Sequence, residues 1–123
     1  MFDVSGTQIT ITAGDTGLLT LSARTGDGLY MPGENDRAVF TVREQAGARA
    51  ALEKVLVPDG EGRVRIALTN ADTERLRAGS YLWDVRYALD AELDAKGNVT
   101  GGREVITPLP PSPFVVMKAV GDV

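Results

Sequence analysis

The chain has 123 residues, 43% of them hydrophobic and 24% charged, with a net charge of −4 and neither cysteine nor histidine. A single domain of this size buries roughly two-thirds of its unfolded surface, which excludes wholesale disorder. Without cysteine or histidine there are no disulfides, no thiolate zinc sites and none of the commonest acid–base side chain, as fits synthesis in a reducing cytoplasm.

The chain begins with Met1-Phe2-Asp3, polar and strand-like, with none of the basic and apolar segments of a secretory signal. Residues 8–13 alternate, with Ile9 and Ile11 facing inward and Thr10 and Thr12 outward. The Gly14-Asp15-Thr16-Gly17 turn leads to a second strand over 18–24, with Leu19 and Leu21 on one face, and the two strands are expected to form a hairpin. Residues 25–36 are dense in Gly, Asp, Pro and Asn and read as a loop. A third strand covers 38–42 with Phe40 and Val42 inward, and a fourth covers 51–57 and stops at Pro58. After the turn at 59–62, Val64, Ile66 and Leu68 point inward while Arg63 and Arg65 point outward. A short helical turn is expected near 70–77, capped by Thr69 or Asn70, with Asp72 by its N-terminus.

The strand over 81–91 is the longest. Tyr81, Trp83, Val85, Tyr87 and Leu89 share one face; Asp84, Arg86, Ala88 and Asp90 share the other. Residues 94–98 form a hairpin tip whose return strand is expected near 103–107. The prolines at 108, 110, 111 and 113 predict a stiff crossing without helix or central strand, before a last strand from Phe114. Turn signals every eight to twelve residues predict one all-β domain over 1–123, an antiparallel sandwich of about seven to nine strands. Leu76-x-x-Gly79-x-Tyr81 leading to Trp83 resembles the tyrosine corner of immunoglobulin-type sandwiches, in which a tyrosine hydroxyl bonds to backbone just upstream.

Chemistry is sparse. Asp90-x-Glu92-x-Asp94 has the alternating carboxylates of a calcium loop, but Ala95 stands where that loop needs glycine, so the segment reads as a charged hairpin end. Asp15-Thr16-Gly17 matches the aspartic-protease triplet in a single copy and reads as a tight turn. Asn98-Val99-Thr100 is a glycosylation sequon without a secretory signal. No serine lies in an activated setting and no glycine loop suits phosphates, so neither catalytic nor cofactor-binding nor metal-ligating residues are assigned. Arginines scattered on strands form no basic face for nucleic acid, and apolar runs are too short for a membrane span. The shared parity of Tyr81, Trp83 and Tyr87 makes them core residues rather than a sugar-stacking platform. Tyr30 and Met31 in the early loop, and Leu52 and Val55 on a strand apolar on both faces, are the candidate contact residues.

Four segments in order resemble the immunoglobulin-like module at the N-terminus of bacteriophage baseplate upper proteins and of related small tail and virion proteins. They are Gly14-Asp15-Thr16-Gly17; Asp36-x-Ala38-Val39-Phe40-Thr41-Val42; the block from Ile66-x-Leu68-Thr69 through Leu76-x-x-Gly79-x-Tyr81 to Trp83-Asp84-Val85; and Thr107-Pro108 with Phe114-x-Val116. The resemblance spans about residues 9–120. It implies an immunoglobulin-like sandwich that is a non-enzymatic structural protein of a phage or prophage particle, in baseplate, tail or head surface. Its implied partners are other virion proteins, by homo-oligomerisation or docking on a scaffold, with no cofactor. A small carbohydrate-binding module for host attachment is the alternative. The larger baseplate proteins continue beyond this module, whereas this chain stops at Val123.

Overall fold

The strand carrying Trp83 lies inside the larger of two facing layers. The computed structural model describes residues 1–22, 24–25, 28–29, 34–59, 62–107 and 111–119. In chain order the elements are β1 (Phe2–Ser5), β2 (Gln8–Thr12), β3 (Gly17–Ser22), β4 (Arg24–Thr25), β5 (Gly28–Leu29), β6 (Arg37–Arg43), β7 (Ala50–Leu56), β8 (Arg63–Leu68), α1 (Asn70–Glu74), β9 (Gly79–Leu89), β10 (Glu92–Leu93), β11 (Val99–Gly101), β12 (Glu104–Ile106) and β13 (Ser112–Met117). The seven-stranded sheet runs β1-β2-β13-β9-β6-β7, with β12 paired to the far end of β9. β3 and β8 pair as a second, two-stranded layer. The result is the all-β sandwich that the alternation predicts, with β4–β5 and β10–β11 as short ribbons.

Register explains the core. Phe40 stands opposite both Lys54 and Val85, and Val42 opposite Leu52 and Trp83. Opposed residues share a face, so these side chains form one inward surface with Ile9, Ile11, Tyr81, Tyr87 and Phe114. Val64, Ile66 and Leu68 of β8 close it from the other layer, all buried. Aromatic rings knit the sheet itself: Phe40 lies 5.8 Å from Trp83 between centroids, and Tyr81 meets Phe114 edge-on at 88°.

One crossing ties the layers. The chain leaves β8, turns through α1 and begins β9. Thr69 caps α1 by accepting from the Asp72 amide, while the Asp72 carboxylate accepts from the Thr69 amide at 2.9 Å, a reciprocal capping box. Lys54 bridges to the same carboxylate at 2.6 Å. Burial opposes ionisation of Asp72, but hydrogen bonds from Lys54 and Thr69 outweigh it and hold the carboxyl below its ordinary value. The buried Thr73 hydroxyl donates to the Asp15 carbonyl at 2.8 Å and accepts from the Gly14 amide at 3.0 Å. The Tyr81 hydroxyl donates to the Arg77 carbonyl at 2.8 Å, completing the expected corner. Gly79 has φ +152°, a conformation that side chains resist, which accounts for glycine two residues before the tyrosine.

Several sequence expectations change. Strands β2 and β3 form no hairpin: they belong to different layers, because the turn between them docks on Thr73 instead of closing a ladder. The sandwich is not wholly antiparallel, since β13 runs parallel to β2. Pro113 lies within β13, inside the large sheet, and is tolerated because β2 pairs only from Phe114 onward, leaving one flank open at the proline. The 94–98 tip joins β10 to β11, whereas β12 returns along β9 instead of along the hairpin. An additional strand, β1, precedes the first expected one, and the 25–36 loop contains β5. Helix α1 is shorter than the expected turn.

Two measurements follow. Tyr81→Phe should cost about 1 kcal/mol through the lost corner bond, and Trp83→Ala roughly 3–5 kcal/mol as a buried truncation, in denaturant melts. A near-neutral Trp83→Ala would contradict the packing of β9. Asp72→Asn should cost about 1 kcal/mol by weakening the cap. Because folding lowers the Asp72 pKa from 3.8, its electrostatic contribution is full above pH 4 and is lost as pH falls through the lower folded value. The Asn variant should therefore show a flatter stability profile below pH 4, and an unchanged acid slope would remove Asp72 from this role.

Candidate interaction surface

The corner residues come together as expected but carry no chemistry. Leu76, Tyr81 and Trp83 are buried, and the Trp83 indole N–H donates to the Thr7 carbonyl at 2.8 Å. Tyr30 and Met31 lie outside the described residues. Leu52 faces the core at 5% exposure and offers a partner no side-chain surface, while Val55 is half-buried on the opposite face of β7.

Of the candidate carboxylates, Asp90 and Asp94 are engaged separately. Asp90, at φ 48°, meets the Arg103 guanidinium at 2.9 Å, and its amide donates to the buried Asp36 carboxylate. Asp94 accepts from the amides of Asn98 and Lys96 and from the Asn98 side chain, so it closes its own turn. The Asn98 backbone bond is the main influence holding its carboxyl below the ordinary value. The Glu92 side chain is exposed. Among the described residues no three His, Cys, Asp or Glu side chains converge. Asp15 in the early turn pairs with the Met1 ammonium group. No described helix is long and apolar enough to cross a membrane.

Two features of the large sheet face outward. Strands β1 and β7 are its edges, and each carries backbone groups that can pair with another strand. Lys54 points inward from β7 to reach Asp72, an arrangement that discourages indiscriminate edge pairing.

The second feature is the outer face of β7, β6 and β9. Thr41 stands opposite Glu53 and Asp84, and Val39 opposite Val55 and Arg86. An acidic row, Asp84–Thr41–Glu53, therefore lies beside a row with Arg86, Val39 and Val55. Clefts of about 340 Å³ and 150 Å³ run along this face and share Thr41 and Arg43. The larger is bounded by Val99, Thr100 and Gly101 of β11 and by Val105 of β12. The Arg43 guanidinium is anchored to the Ala48 carbonyl at 2.9 Å. Among the described residues, no hydrogen bond or ion pair engages the side chains of Asp84, Arg86 or Glu53.

Sequence parity already places Asp84 and Arg86 outward. It does not bring Glu53 and Thr41 beside them, because that requires the register between strands distant in sequence. No family model and no curated protein matches the chain.

With its carboxylates dispersed, the 90–94 segment should take up no calcium. Millimolar calcium is expected to leave the melting temperature within about 1 °C, since a ligand stabilises only through preferential binding to the folded state. A saturable rise that Asp94→Ala removes would assign a site there.

Proposed function

We propose that this chain is a non-enzymatic assembly module of a bacteriophage or prophage particle, acting through protein–protein contacts in baseplate, tail or head surface. The ordered resemblance to baseplate upper-protein modules supports the particle assignment. The observation that carries the choice of assembly over glycan attachment is the burial of the aromatic strand. Tyr81, Trp83 and Tyr87 are 6%, 3% and 1% exposed, so β9 presents no ring face for a sugar. What the large sheet offers instead is strand edges and a charged, partly apolar outer face, both suited to protein partners.

The test is direct. Antibody raised against the chain should label purified particles from cells that make it, and mass spectrometry of those particles should recover its peptides. Particles devoid of the chain, together with saturable glycan binding by the monomer, would replace this reading with the carbohydrate-binding one.

A further inference from the structure

We infer that the larger cleft on the outer face of the large sheet binds a free aliphatic α-amino acid. At about 340 Å³ it falls within the size range of small-molecule sites, roughly 300–1,000 Å³. Strands β6, β7 and β9 floor it, while β11 and Val105 of β12 wall it.

The observation that carries the inference is Thr41. Its side chain is 4% exposed and lines both clefts, yet its hydroxyl has no hydrogen-bond partner among the described residues. A buried polar group left unpaired is costly, so a hydroxyl placed there is completed by whatever enters the cleft.

Charge around that hydroxyl selects the ligand. Glu53 stands opposite Thr41, Arg43 follows two residues along β6, and Arg86 lies one row away on β9. One guanidinium nitrogen of Arg43 donates to the Ala48 carbonyl, which fixes the group and leaves its other N–H donors over. The side chains of Arg86 and Glu53 have no partner among the described residues. A phosphate or a simple carboxylate would meet Glu53 as a like charge. A neutral sugar would leave all three groups without a counter-charge. A carboxylate held beside an ammonium answers both: the carboxylate accepts from the guanidinium groups and the Thr41 hydroxyl, and the ammonium donates to Glu53. Val39 and Val105 supply apolar lining, and Val105 is 46% exposed, so an aliphatic side chain laid against it leaves water. Such a site is independent of membership in a particle, and neither assignment requires the other.

The test is an NMR titration of isotope-labelled protein with L-leucine. Saturable shifts are expected at the amides of Thr41, Arg86 and Val105, with a dissociation constant in the millimolar range. N-acetyl-L-leucine lacks the ammonium and L-leucinamide lacks the carboxylate, so each should bind about tenfold more weakly. Thr41→Val, which keeps the shape and removes the hydroxyl, and Arg86→Gln should each raise the constant about tenfold. Arg86 is exposed, so its variant reports on the site even where Thr41→Val perturbs folding. Arg65→Gln, on the other layer, should bind as the parent does. The inference is overturned by an absence of saturable shifts with L-leucine, or by equal binding of either blocked form. Equal shifts from D-glucose, or parental affinity in Arg86→Gln, would overturn it as well.

Discussion

The crossing from β8 to β9 is the constraint on which the rest of this domain depends. A strand has only two faces, and a slip of one residue exchanges them. If β9 began one position late, Trp83, Val85 and Tyr87 would turn to solvent and Asp84 and Arg86 to the core. Three local devices oppose that slip. The Thr69–Asp72 capping box fixes where α1 starts, the Thr73 hydroxyl ties α1 to the Gly14–Asp15 turn, and the Tyr81 hydroxyl ties the start of β9 to Arg77. Each bond is modest alone, on the order of 1 kcal/mol. Together they set the parity of the strand that the other members of the large sheet flank.

The inner and outer faces of that sheet have consequently different jobs. The inner face is committed to packing, since the domain has no disulfide and only the core to hold it. Buried Trp83 even has its N–H paired, to the Thr7 carbonyl. The outer face is free of that duty. Thr41 and Ala88 are shielded on it by neighbouring structure, but its charges stand accessible, and recognition can be selected there without disturbing the core.

The features of the fold legible from sequence were those with local cause. Alternation identified β2, β6, β8 and β9, and the Leu76–Tyr81 spacing identified the corner, because parity and a four-residue hydroxyl contact need no knowledge of distant chain. The errors were non-local. Nothing within residues 8–24 distinguishes a hairpin turn from a crossing to the opposite layer; the distinction lies in Thr73, more than fifty residues away. Pro113 misled for a similar reason, since its tolerance depends on where β2 stops pairing. The candidate surface was half legible. Asp84 and Arg86 were placed outward by parity, yet their juxtaposition with Glu53 required the β6 register. Leu52 looked like a contact residue because the apolar run of β7 does not say which neighbours cover which face.

The same asymmetry explains why a domain with so little chemistry can still be specific. The chain lacks histidine and cysteine, and Asp90 and Asp94 are engaged at their own turns. On a sheet face, specificity comes from arrangement: which groups share the face, and in what order. Apolar area alone would supply adhesion without register, because hydrophobic contact is non-directional. Alternating charges on a rigid sheet supply register, because a shift of one row brings like charges together. The β9 strand carries both properties in one sequence, apolar at one parity and charged at the other. The crossing that fixes its parity for folding therefore also fixes the order in which Asp84 and Arg86 meet whatever lies opposite.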